Sequence, residues 1–310
     1  MITFQEHVPL APYTTFELGG VARYFTEVRT VTELGIALDY AETRSLPFFI
    51  LAGGSNVLVA DAGFVGLVIR IAFDQRTIDV DSGAVYAEAG ASLMETIEAT
   101  AEAGLTGMEA MYGIPGTVGG AVRGNAGAFG TEVVDVLKEA TALNIDTREI
   151  KTFTREECNL TYRSSFFKRN PEWIVLSATF ALTPDTDGAA LARVEETLAL
   201  RNERQIQNIR SAGSFFMNPT APESVQKLFE SEKGTPSNNG RVPAGWLIEK
   251  VGFKGHCVNG ICTGERSANY IINDGTGSAS AVLELTSAIH AKVFTDFGIT
   301  MQPEITQVGF

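Results

Sequence analysis

Glycine crowds one stretch of this chain, Gly113-Ile114-Pro115-Gly116-Thr117-Val118-Gly119-Gly120, which continues through Arg123-Gly124-Asn125-Ala126-Gly127. Glycine reaches positive φ without strain and lets another group lie against bare main chain. A shorter turn, Gly53-Gly54-Ser55-Asn56, lies upstream. Main-chain N–H groups in such turns cradle an anion, and Ser55 and Asn56 add donors suited to a diphosphate. Taken alone, the shorter turn is explained rather better as an ordinary strand-to-loop reversal in which Asn56 holds its own backbone. The longer stretch has neither the G-x-G-x-x-G order nor the Walker lysine, so neither a dinucleotide fold of that kind nor a P-loop is supported. Together the two turns point to one flat, phosphate-bearing cofactor.

Other reactive types are sparse. Three cysteines, Cys158, Cys257 and Cys262, form an odd, low count that fits reduced thiols. His256 beside Cys257 faintly suggests a metal, but no second ligand pair exists and no metal site is expected. His7 and His290 read as surface residues. The 310 residues carry a formal net charge of −13, which disfavours a nucleic-acid partner without forbidding a small anion. No basic-then-apolar leader opens the chain, and no segment approaches the roughly 20 apolar residues that span a bilayer.

The elements that must position these residues follow from periodicity and caps. A strand near Tyr24–Val28 precedes a helix with Thr30 and Glu33 at capping-box spacing and a Leu34, Leu38, Ala41 stripe. Phe48-Phe49-Ile50-Leu51-Ala52 reads as a strand buried on both faces and feeding the first glycine turn. Asp81-Ser82-Gly83 signals a hairpin, and Ser92 with Glu95 starts a helix that ends at Gly104. Strands are expected at 140–145, 149–153 and 173–182, then a linker over 183–188 and a polar helix over 189–205. A tight loop, 211–219, leads to a short helix at 244–251, a strand at 269–273, a helix over 278–297 and a last strand at 303–308.

Motifs along nearly the whole chain resemble the UDP-N-acetylenolpyruvoylglucosamine reductase (MurB) family. They are Thr14-Thr15-Phe16, the two glycine turns, Asn125-Ala126-Gly127-Ala128-Phe129-Gly130, Tyr162-Arg163-Ser164-Ser165, Ala212-Gly213-Ser214-Phe215-Phe216-Met217-Asn218-Pro219, Ala244-Gly245-Trp246-Leu247-Ile248 and Pro303-Glu304. The resemblance implies an α+β fold: a two-subdomain FAD-binding module of the vanillyl-alcohol-oxidase/PCMH type, then a smaller α+β substrate domain. The corresponding division is 1–62 and 63–184 for the two FAD subdomains, 185–300 for the substrate domain, and 301–310 for a strand carrying Glu304. Gly53, Gly54, Ser55, Asn56, Gly113, Ile114, Pro115, Gly116, Thr117, Gly119 and Gly120 then hold FAD. The implied reaction is reduction of UDP-N-acetylglucosamine enolpyruvate to UDP-N-acetylmuramate with NADPH as hydride donor. It belongs to cytoplasmic peptidoglycan precursor synthesis by a monomer or weak oligomer, with neither nucleic acid nor membrane as partner.

Three residues match the family's active-site positions. Hydride addition to the vinyl carbon leaves enolate charge, which a cation stabilises best in the transition state; Arg163 matches that cation. Ser214 matches the proton donor, and Glu304 the carboxylate that assists it. On residue type alone Arg163 is a loop arginine, Ser214 a turn residue and Glu304 an edge-strand carboxylate. Asn218 and Arg241 are weaker candidates for the sugar nucleotide, and Trp246 reads as core. Met217 stands where many members carry lysine, and Ser267 where histidine is frequent. With one helix between Leu182 and Ser211, the chain resembles the branch lacking a tyrosine-bearing insertion. Two rivals remain at this point, a sugar or hydroxy-acid flavin oxidase of the same fold and a flavin-binding module without turnover.

Overall fold

Hydrophobic patterning puts two separate cores into this chain. A computed structural model describes residues 2–204 and 209–310, and its contacts form two compact units interleaved in sequence. Unit 1 is Met1–Val8, Ala22–Gly53 and Val65–Glu203; unit 2 is Pro9–Val21, Gly54–Phe64 and Arg204–Phe310.

Unit 1 is built on two sheets. The first contains β1 (Gln5–Pro9), β2 (Val21–Val28), β3 (Phe48–Leu51) and β4 (Phe64–Ile71), in the order β1-β2-β4-β3. Helix α1 (Val31–Thr43) starts where the Thr30 hydroxyl accepts the Glu33 N–H, and it buries Leu34, Ala37, Leu38 and Ala41. β3 pairs in parallel with β4 but lies at the sheet edge, so Phe48, Phe49 and Ile50 are only half-buried. The run is as apolar as expected. With a neighbouring strand on one side only, it keeps part of its surface. The second sheet is antiparallel: β5 (Arg76–Asp79), β6 (Ala84–Glu88), β7 (Leu137–Asn144), β8 (Ile150–Thr154) and β9 (Trp173–Ala181), in the order β8-β7-β9-β6-β5. The β5–β6 hairpin turns through Gly83 at φ 69°. Helix α2 (Leu93–Glu102) is capped by Ser92 and followed by Gly104 at φ 77°.

Part of the glycine-rich stretch is helical. Thr117 accepts the Gly120 N–H and opens α3 (Val118–Gly124), which Asn125 ends in the left-handed region at φ 45°. The polar helix α4 (Ala190–Arg204) follows, and the expected end at Gln205 lies outside the described residues.

Unit 2 packs α5 (Glu223–Lys233), α6 (Ala244–Lys250) and α7 (Ala279–Phe297) with a three-stranded sheet, β10 (Cys257–Val258), β11 (Ile261–Thr263) and β12 (Ile271–Asn273). Ser278 caps α7 and Gly298 ends it at φ 67°. Helix α5 has no counterpart among the sequence expectations. The last strand is shorter than expected, Thr306–Val308, and pairs in parallel with Val57–Val59.

One cysteine expectation is corrected. Cys257 and Cys262 are register partners across β10 and β11, with Cα atoms 4.1 Å apart, and are joined by a disulfide. A count of thiols cannot reveal that a hairpin brings two of them face to face. Cys158 is a buried free thiol, and burial pushes it up to about 12. His290 is also corrected: it is half-buried, with Nδ1 3.1 Å from the Met301 carbonyl oxygen. Among the described residues no group of His, Cys, Asp and Glu could hold a metal ion, and no helix is long and apolar enough to cross a membrane.

Candidate active site

The glycines of the cradle divide by what each one touches. A Cβ on Gly119 would stand 2.7 Å from that of Ala89, and one on Gly54, at φ 63°, 1.9 Å from the Tyr13 carbonyl oxygen. These two positions are bare because the fold itself presses on them. Gly53 and Gly116 meet backbone to backbone, since a Cβ on Gly53 would lie 2.8 Å from the Gly116 Cα. Gly53 and Pro115 are exposed, and so is Gly120, whose added Cβ would meet only the Thr117 hydroxyl at 3.7 Å. Within unit 1, Gly53 therefore meets the longer turn at Gly116, and together they offer a stretch of accessible main chain. That surface suits a flat group carrying phosphates, as FAD does.

Two neighbours of the cradle escaped the sequence reading. Arg201 on α4 is buried, and its stem and Nε lie where a Gly113 Cβ would be, 2.6 and 2.7 Å away. This puts a guanidinium against the loop's bare backbone. Glu109 precedes the loop in the single-turn helix Glu109–Met111. Its carboxylate accepts from the Thr106 hydroxyl at 2.5 Å, the Gly107 N–H at 2.7 Å and Arg193 Nε at 3.2 Å. Burial alone would raise its pKa, but these bonds outweigh burial and hold it below the ordinary glutamate value. Arg193 also bonds Asp185 and Asp187, and through Glu109 and Thr106 it ties α4 to the segment that enters the cradle. The only advance signal for either contact was a helix rich in arginine.

Arg163 lies in unit 1 at the tip of a tight turn. Thr161 and Ser164 exchange both main-chain hydrogen bonds, at 2.9 and 3.0 Å, and Arg163 between them takes φ 54°. Its Nη2 donates to the Gly127 carbonyl at 3.1 Å and its Nη1 reaches the Asn125 carbonyl at 3.5 Å. Lys168 Nζ donates to the Arg163 carbonyl at 2.9 Å. The segment that follows α3 thus aims the guanidinium.

Ser214 and Glu304 come together within unit 2. Phe215 N–H donates to the Asn269 carbonyl at 2.9 Å, and Ser214 bridges Tyr270. On the other side, Glu304 N–H donates to the Phe215 carbonyl at 2.8 Å and Met217 N–H to that of Gln302 at 2.9 Å. Asn269 closes the arrangement: its Oδ1 accepts the Phe216 N–H at 3.0 Å and its Nδ2 donates to the Phe216 carbonyl at 2.8 Å. Asn56 Nδ2 lies 3.4 Å from the Glu304 carbonyl, and the Asn56 carbonyl accepts the Thr306 N–H at 3.0 Å. Asn56, Ser214 and Glu304, far apart in sequence, therefore share one network.

The softer candidates occupy the same unit. Asn218 Oδ1 accepts the Ala244 N–H at 2.9 Å at the start of α6. Arg241 bridges Thr220 and Asn238 through its main chain. Trp246 is buried, as expected, with Nε1 donating to Glu232 at 3.0 Å.

Comparison with known proteins is consistent along the chain. Residues 22–152 match the model of an FAD binding domain, and residues 204–308 match that of the UDP-N-acetylenolpyruvoylglucosamine reductase C-terminal domain. The chain is 34% identical to the UDP-N-acetylenolpyruvoylglucosamine reductase of Solibacter usitatus, covering 97% of this chain and 95% of that protein. Against the enzyme of the same name from Synechococcus sp. it is 36% identical, over 98% and 91%. The crystal structure of that reductase (MurB) from Thermus caldophilus superposes with a TM-score of 0.78 at 30% identity, covering 99% of this chain and 100% of that one.

Proposed function

Because the chain belongs to the UDP-N-acetylenolpyruvoylglucosamine reductase family, we propose that it reduces UDP-N-acetylglucosamine enolpyruvate to UDP-N-acetylmuramate in peptidoglycan precursor synthesis. When bound, FAD would supply the redox chemistry of the reaction, the transfer of a hydride from NADPH to the vinyl carbon of the enolpyruvyl ether. The accessible backbone of Gly53, Ile114–Thr117 and Gly120 holds that cofactor, with Gly54, Ser55, Asn56, Gly113 and Gly119 shaping the two turns. Arg163 meets the negative charge that develops on the substrate's carboxylate and adjoining carbon. Ser214 delivers the proton to that carbon. A hydroxyl is a weak acid, so it depends on exact placement and on Glu304 beside it. Asn218 and Arg241 contact the sugar nucleotide, with Met217 and Ser267 marking a grip different from that of many relatives. The working parts divide as two FAD subdomains at 1–62 and 63–184, a substrate domain at 185–300 and a terminal segment at 301–310, in which Glu304 precedes the strand Thr306–Val308. The protein works in the cytoplasm as a monomer or weak oligomer, needs no nucleic acid, and belongs to the branch without the tyrosine insertion.

The observation that carries this reading is the unit 2 network, in which the Glu304 N–H bonds the residue next to Ser214 while Asn56 bonds the Glu304 main chain. An oxidase or a passive flavin carrier has no use for a serine and a glutamate so paired. The test is anaerobic. NADPH should bleach the flavin of the purified protein, and the enolpyruvyl sugar nucleotide should restore its colour. Flavin that NADPH reduces but only oxygen reoxidises defeats the proposal. Ser214→Ala should leave bleaching largely intact and slow the return; equal losses in both half-reactions would remove the proton-donor role.

A further inference from the structure

We propose that Asn125 is a positioning residue for Arg163, backed by Glu132. The inference rests on the role assigned to Arg163 above and extends it to residues that touch neither substrate nor cofactor in that account. Asn125 is fully buried and sits in the left-handed region at the end of α3. It grips the Arg163 turn at two points. Its side-chain Nδ2 donates to the Thr161 carbonyl at 3.1 Å, at the base of the turn. Its main-chain carbonyl lies 3.5 Å from Arg163 Nη1, at the head. One residue thus sets both where the turn starts and where the guanidinium ends.

Asn125 is itself fixed by two further bonds. Its Oδ1 accepts the Val134 N–H at 3.0 Å, and its Nδ2 also donates to Glu132 Oε2 at 2.8 Å. The same Glu132 side chain packs on Gly127, where a Cβ would lie 2.6 Å from the Glu132 Cγ. Gly127 supplies the other carbonyl that receives Arg163, at 3.1 Å. Glu132 therefore supports both acceptors of the guanidinium, one through the Asn125 amide and one by direct packing. A buried amide with all its bonds made holds one geometry. A guanidinium serves a developing charge only if it is already in place.

The test compares the two half-reactions of the FAD-loaded protein. Asn125→Gly keeps the left-handed backbone accessible and removes the amide. It should slow substrate reduction on the order of 10- to 100-fold, the usual effect of displacing a catalytic group by about an ångström. Flavin reduction by NADPH should stay within about twofold of wild type, because it makes no use of the arginine's charge. Glu132→Gln, which keeps an acceptor for the amide, should retain most of the activity. In an Arg163→Ala background, Asn125→Gly should add almost nothing. A readout independent of turnover is trypsin cleavage after Arg163, which should accelerate once the base of the turn is released.

Full additivity of the two substitutions overturns the inference, and so does equal slowing of both half-reactions or unchanged cleavage at Arg163. If Arg163→Ala itself leaves substrate reduction intact, the role assigned to Arg163 fails instead, and the trypsin result alone decides whether Asn125 holds the turn. Should Asn125→Gly not fold, Glu132→Ala, which removes both the acceptor behind the amide and the packing on Gly127, carries the same comparisons.

Discussion

Replacing Asn269 by alanine should cost unit 2 about 2–4 kcal/mol. The side chain is 5% exposed and makes two bonds to the main chain of Phe216, which is 3% exposed. Its loss strands a buried N–H and a buried carbonyl. Each such group costs about 1–3 kcal/mol when left without a partner, and some relief comes from water entering the vacated space. Asn269→Asp makes a sharper test. Aspartate keeps the acceptor for the Phe216 N–H but turns a carboxylate oxygen toward the Phe216 carbonyl. Burial and that carbonyl both favour the protonated acid, so the folded-state pKa lies above the unfolded value. The deficit of the Asp variant should therefore be full at pH 7 and shrink toward pH 4, where a protonated acid can donate. The assay is urea unfolding followed by Trp246 fluorescence in a Trp173→Phe background, which reports unit 2 alone because Trp246 is its only tryptophan. A loss below about 1 kcal/mol for Asn269→Ala, or a pH-independent deficit for Asn269→Asp, would refute the reasoning.

Three further outcomes follow from the same geometry. Gly53→Ala drives a Cβ to 2.8 Å from the Gly116 Cα, so purified protein should carry less FAD, measured as the ratio of absorbance at 450 nm to that at 280 nm; full occupancy would place the cofactor elsewhere. Glu109 is held below its ordinary value, so it contributes stability above the unfolded pKa near 4.3 and loses it as pH falls through the folded one. The stability gap between wild type and Glu109→Gln, from urea curves at several pH values, should be widest near neutrality and close in acid. The thiol of Cys158, buried and raised to about 12, should not react with a disulfide reagent in the native protein at pH 8, and one thiol should appear on unfolding.

What could be read from the chain beforehand was local. Thr30 and Ser92 cap their helices as spaced, the last helix starts at Ser278, and Gly83 turns its hairpin, because each signal acts within four residues. The cradle was legible as bare backbone, but the cause of each glycine was not: Ala89 and the Tyr13 carbonyl belong to other segments. The Cys257–Cys262 bond needed the hairpin register, and α5 begins at a proline with no side-chain cap to announce it. Arg163, Ser214 and Glu304 came from family likeness, since each alone is an ordinary loop or edge residue. Asn125 and Asn269 were invisible for a physical reason. Polar residues are normally surface residues, and only a finished fold shows which amides are enclosed and by what.

The pairing of Thr306–Val308 with Val57–Val59 also bears on how the chain is made. The two segments lie about 250 residues apart. At synthesis rates of about 5–20 residues per second, the earlier segment waits roughly 12–50 s for its partner. Val57, Leu58 and Val59 are all buried in the finished protein, so for that interval an apolar strand edge has nothing to pair with. Nascent chains of this protein should therefore depend on holding factors that cover Val57–Val59 until Thr306 emerges. Stalling translation after unit 1 has emerged but before Thr306 should leave unit 2 sensitive to protease while unit 1, whose core ends at Val194, is already closed.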